Sequence, residues 1–134
     1  MALQVKDISH LSLQYLEKDY WSEPEFESHL VNRCHELRKI PLSDFTIEDL
    51  RIMIGQGIGL KYLAPLALKE LEKDIMVEGD FFPGDLLEKV AKVETKFWEG
   101  NVELKAKLQE LIQHNLRSCE DELLRILKRT GFLD

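Results

Sequence analysis

A chain of 134 residues fits one domain around one core, and six Phe, three Tyr and two Trp within an apolar share of 44% supply that core, which excludes a disordered chain. The net charge is −7 and no dense Lys/Arg cluster occurs, which argues against nucleic acid as a partner, because phosphates demand a basic face. Two widely spaced cysteines, Cys34 and Cys119, make no disulfide framework, and the first twenty residues lack the basic start and apolar run of a signal peptide, so a reducing cytoplasm is expected.

No segment shows the period-two alternation of a strand, whereas helix signals recur along the chain. Within the N-terminal part, a short helix is read over Ser9 to Glu17, with Leu11, Leu13 and Leu16 as its apolar residues. A turn around Pro24 follows. The second helix starts near Ser28 and ends before Pro41, whose ring pushes the preceding residue out of helical geometry. Thr46 is positioned as the N-cap of a third helix, with Glu48 and Asp49 favouring the dipole in its first turn and Gly55 stopping it. A fourth helix from Leu60 to Lys73 is apolar around much of its circumference and reads as the central buried one, Leu66 included, with Pro65 in about its first turn.

Gly79 to Asp85 reads as a loop, and the fifth helix after it turns Leu86, Leu87, Val90 and Val93 inward. A brief turn holds Phe97 and Trp98 and ends at Gly100. Asn101 then caps a last helix whose apolar residues keep a spacing of three and four from Leu104 to Leu127, which predicts one long amphipathic helix closed by Gly131. The fold class expected is all-α: a single-domain helical bundle of five to seven helices over residues 1–134, with a long C-terminal helix.

Chemistry-bearing patterns are sparse. Gly55-Gln56-Gly57-Ile58-Gly59 is spaced like a phosphate loop, but the glycines follow a helix instead of a strand and no Lys-Ser/Thr closes the motif, which favours a helix C-cap. His10, His29, His35 and His114 pair with no second ligand at helical spacing, so no metal is expected; Cys34 reads as a small core residue and His35 as a capping or packing one. No strained turn presents a nucleophilic serine. Catalytic, cofactor and metal residues are accordingly expected to be none. The segment from Leu50 to Leu68 is the most apolar, but Arg51, Gln56, Lys61, Pro65 and three glycines exclude a membrane span.

Acidic residues are unevenly spread. Glu17 to Leu30 carries a net −4, as does Leu66 to Asp85, and the rest of the chain is near +1. Both stretches hold aromatics: Tyr20, Trp21 and Phe26 in the first, Phe81 and Phe82 in the second. An acidic, aromatic-bearing surface suits a basic protein partner, since charge steers association and buried aromatics hold it. The alternative is a solvated rim over core aromatics. Glu70, Asp74, Glu78, Asp80 and Asp85 are the candidate contact residues, with Phe82 as anchor.

The ordered runs His35 to Leu42, Thr46 to Leu60, Tyr62 to Leu68 and Glu78 to Leu87, with the trailing Phe97-Trp98, resemble the immunity proteins of bacterial contact-dependent growth inhibition systems. The resemblance covers roughly Leu16 to Leu111 and leaves the tail from Gln113 outside. It implies a non-catalytic protein that binds the C-terminal toxin domain of a delivered effector, often a nuclease, as a 1:1 complex. It names no catalytic residue. Two other classes fit the residues alone: a helical adaptor with another protein partner, and a helical hydrolase with an acidic metal site.

Overall fold

In the computed structural model, which describes residues 7–23 and 28–133, the secondary structure is helical, with isolated β-bridges but no strand among the described residues. The described residues group into two compact units that divide between Thr46 and Ile47.

The first unit holds α1 (Leu13–Glu17) and α2 (His29–Leu37), followed by a 3-10 turn over Leu42–Asp44. Ser12 and Ser28 cap the two helices, each hydroxyl accepting the amide three residues on. The first helix therefore begins later than Ser9, because Ser12 is its cap and stands in extended backbone bridged to Pro41. Arg38 is buried behind α1 and α2, where its guanidinium donates to the Glu17 carboxylate and the Asp19 carbonyl and stacks 4.3 Å over the Trp21 ring. His35 meets the same Trp21 ring edge-on at 5.0 Å, a packing role. The Pro24 turn and Phe26 lie outside the described residues.

The second unit runs α3 (Ile47–Gly55), α4 (Leu60–Lys73), α5 (Asp85–Ala91), α6 (Thr95–Glu99), α7 (Val102–His114) and α8 (Asp121–Arg129). Its core is leucine-rich: Met53 on α3, Leu63, Leu68 and Leu71 on α4, Leu86 and Leu87 on α5, Leu108 and Ile112 on α7, and Leu127 on α8 are all enclosed. Full burial of each such side chain contributes about 1.5–3 kcal/mol relative to exposure. Helix α3 packs on α4 and α5, α7 on α4 and α6, and α8 on α5.

Five local expectations need correction. Leu66 is half-buried, because the face of α4 that enters the core carries Leu63, Ala64, Ala67, Leu68 and Leu71 instead. Pro65 falls in the second turn of α4, so the carbonyl of Lys61 is the one that loses its amide partner. Gly55 is the last helical residue of α3 and lacks a positive φ. The left-handed residue is Gly57 at φ +71°, with the amide of Ile58 returning to the Met53 carbonyl and that of Gly57 to Ile54, a Schellman closure.

The fourth concerns the long C-terminal helix, which is broken. Helix α7 ends at His114, a 3-10 turn spans Leu116–Ser118, and α8 begins after Glu120. Asn115 turns its side-chain amide back to the Leu111 carbonyl at 2.8 Å, and the acids at the start of α8 suit a new helix N-terminus. A straight helix from 101 to 128 would run about 42 Å, beyond the roughly 30 Å breadth of a small domain, and its last turns would leave the core. The break lets the same apolar stripe fold back onto α5. Asn101 stands at the N-cap position of α7, yet its side chain donates to the Phe97 carbonyl at 2.8 Å and so closes α6 instead.

Candidate partner-binding loop

The segment between α4 and α5 is held from beneath by three side chains. Asp85, at 1% exposure, accepts the backbone amides of Gly79 at 2.6 Å, Phe81 at 3.1 Å and Phe82 at 3.3 Å. Glu48, on the first turn of α3, accepts the amide of Asp80 at 3.0 Å. Four consecutive loop amides are thus satisfied by two carboxylates, a strong arrangement because the acceptors are charged. Arg51, one turn along α3, pairs with both oxygens of Glu48 at 2.6 and 2.7 Å and lies 4.0 Å from Asp85.

That pairing fixes the electrostatics. The hydrogen bond from Arg51 is the main cause holding the Glu48 carboxyl below its ordinary range, against the opposing effect of burial. The pKa of Arg51 rises for the reciprocal reason. Its guanidinium also lies 4.3 Å from the centre of the Phe81 ring, which pins one face of that ring.

Glycine is demanded where the carboxylates crowd the backbone. A Cβ on Gly79 would stand 2.7 Å from a Glu48 oxygen and 3.2 Å from Asp85, and Gly84 adopts φ +88°, where a Cβ would stand 3.0 Å from Leu123 and 3.1 Å from Met76. An isolated bridge between Glu78 and Pro83 closes the neck. A rigid loop results, whose outer side shows Phe81 at 67% and Phe82 at 43% exposure beside exposed Asp80 and Glu78.

The six candidate contact residues therefore divide. Glu78, Asp80 and Phe82 share this displayed loop. Asp74, exposed at the end of α4, uses one oxygen to accept the Met76 amide at 3.0 Å, and Glu70, one turn earlier, is half-buried and lies 3.4 Å from Lys73. Asp85 is withdrawn from the surface altogether, because its oxygens serve the loop backbone; it builds the loop and offers a partner nothing. Two residues of this loop network fall outside those six. Phe81 is more exposed than Phe82, and Glu48, read as a helix-start residue, is also a loop ligand. The Phe-Phe pair between Gly and Pro was the available signal, since a tight turn rarely buries both of two adjacent rings.

Elsewhere the chemistry is quiet. Burial raises the thiol pKa of Cys34 and of Cys119, which keeps both protonated and unreactive. Among the described residues no group of three or more His, Cys, Asp or Glu is placed to hold a metal ion, and no helix is long and apolar enough to cross a membrane.

Searches among curated proteins and among solved structures return no match. A family model does match, that of CDI immunity proteins, over residues 14–111. The matched span takes in α3, the carboxylates that hold the loop, the loop itself and the helices α4 and α5 on either side of it. With nearly three quarters of its length in that match, the chain belongs to the family of CDI immunity proteins.

Proposed function

We propose that this protein neutralises the toxin domain of its own contact-dependent growth inhibition effector by binding it as a 1:1 complex inside the cell, with the loop from Glu78 to Gly84 as part of the interface. The toxin we infer is a nuclease, whose anionic substrate demands a basic active-site face. One observation carries the placement: two adjacent phenylalanines are held exposed on a loop whose backbone is fixed by the buried Asp85 and the half-buried Glu48. Exposing Phe81 and Phe82 is unfavourable for the isolated protein, and pre-ordered aromatics bind at low entropic cost. The acidic residues around them supply charge complementarity to a basic enzyme.

The test is co-expression with the C-terminal domain encoded immediately upstream. Cells should survive with this protein and die without it, and the purified pair should elute as one 1:1 species by light scattering. A domain that stays toxic in its presence, or a stable partner encoded elsewhere, would point to an adaptor role instead.

A further inference from the structure

Beside the displayed loop lies a small cleft that neither the family match nor the loop itself accounts for. Phe82 and Pro83 form one side, and Leu123 and Ile126 of α8 form the other. Loop and α8 approach closely beside it, since a Cβ on Gly84 would lie 3.0 Å from Leu123. Its volume is about 70 Å³. Clefts for drug-sized ligands run about 300–1,000 Å³, so this one admits a single side chain and no small-molecule cofactor.

Met76 adds to the apolar lining, and the remaining three residues are acidic: Glu88 on α5, and Glu120 and Glu122 at the start of α8. Glu88 lies 3.6 Å from Lys92 and Glu122 lies 3.3 Å from an exposed Arg125. The second pair is exposed on both sides, and such surface pairs contribute about 0–1 kcal/mol and are readily exchanged. Glu120 is exposed and makes no ion pair among the described residues. Apolar walls with three carboxylates match a side chain that has a methylene stem and a cationic head.

We infer that this cleft receives one lysine or arginine side chain of the bound protein, with its stem between Phe82 and Leu123 and its charge among Glu88, Glu120 and Glu122. The inference rests on the proposed toxin complex and deepens it by naming the anchor's chemistry. It also gives α8 a role. The helix lies outside the matched residues 14–111, so the cleft joins a wall from the family-matched loop to a wall from this chain's own tail. A partner lacking a cation at that point would leave three carboxylates uncompensated, which makes α8 a determinant of which toxin is accepted.

Calorimetric titration with the domain encoded immediately upstream tests this, at low and at physiological salt. The double variant Glu120→Lys with Glu122→Lys alters two exposed side chains and should melt only slightly below the wild type, the modest effect of reversed charges at the α8 N-terminus, yet bind about 30-fold more weakly, the range for losing one side of a desolvated charge pair. A control, Glu103→Lys with Glu110→Lys, changes the net charge equally on α7 and should bind within about threefold of wild type. Reversing the partner's matching Lys or Arg to Glu should restore binding to the double variant. Wild-type-like binding by the double variant, or equal weakening by the control, overturns the inference. Phe81→Ala judges the loop separately: weakened binding there with an intact double variant leaves the loop interface standing and removes the cleft. The opposite pattern keeps the cleft and removes Phe81. A wild-type protein that does not bind this domain overturns both.

Discussion

Burying a carboxylate costs several kcal/mol unless its oxygens find donors, and Asp85 finds three backbone amides. Asp85→Ala leaves those amides without an acceptor, so it should destabilise by about 3 kcal/mol in urea unfolding. Asp85→Asn keeps one acceptor oxygen and should cost less than half of that. Glu48 gives the network a pH dependence. Its folded pKa is depressed, so the stabilisation is fully present above the unfolded value of about 4.3 and is lost as pH falls through the folded value. Urea midpoints measured from pH 6 down to pH 3 should fall more steeply for the wild type than for Glu48→Gln, which cannot titrate. Parallel slopes would show that Glu48 does not hold the loop as its hydrogen bonds indicate.

Helix ends decide where the elements of this protein point. The Schellman closure at Gly57 requires φ +71°, which costs a residue with a Cβ about 1–2 kcal/mol, although nothing crowds the site. Gly55 has helical backbone, and its neighbour at 3.2 Å is the flexible stem of Lys89. Thermal unfolding should therefore separate the two: Gly57→Ala loses about 1–2 kcal/mol, whereas Gly55→Ala stays within about 1 kcal/mol of the wild type in either direction. The same closure recurs after α8, where Gly131 at φ +89° lets the Phe132 amide return to Leu127 and brings the Phe132 ring edge-on against Trp98 at 5.5 Å. Helix α8 is amphipathic, with acids in its first turn and Lys128 and Arg129 in its last, in keeping with the helix dipole. Its apolar face closes the second unit, and its N-terminal turn faces the cleft.

Across the whole molecule, a net charge of −7 gives a long-range attraction for a basic partner, expressed mainly in the association rate. Asp74, Glu78 and Asp80 are exposed at or beside the displayed loop, so reversing all three to lysine should slow association with the toxin domain by about tenfold or more at low salt. The salt dependence of the rate should flatten with it, as read by stopped-flow fluorescence at two ionic strengths. Unchanged association with unchanged salt dependence would place the interface elsewhere while leaving the family assignment intact. The aromatic and cleft variants should act differently, through dissociation, because short-range contacts form after encounter.

The all-α class, the order of the helices as far as α7 and the existence of the loop were legible in the sequence, because they rest on local rules: apolar spacing of three and four, proline stops and glycine turns. The boundaries of α4 at Leu60 and Lys73 follow from those rules alone. What the local rules could not reach was set by partners distant in the chain. Leu116, Cys119 and Leu123 keep helical spacing whether or not the helix breaks, and the spacing therefore does not reveal the break that lets α8 pack on α5. Asp85 reads as one more acid in an acidic stretch until folding brings the amides of Gly79, Phe81 and Phe82 to it and buries it. Glu120 and Phe82 stand 38 residues apart and line one cleft. Spacing along the chain determines which face a residue takes on its own helix; tertiary packing determines what that face meets, and therefore which carboxylates build the loop and which are left for a partner.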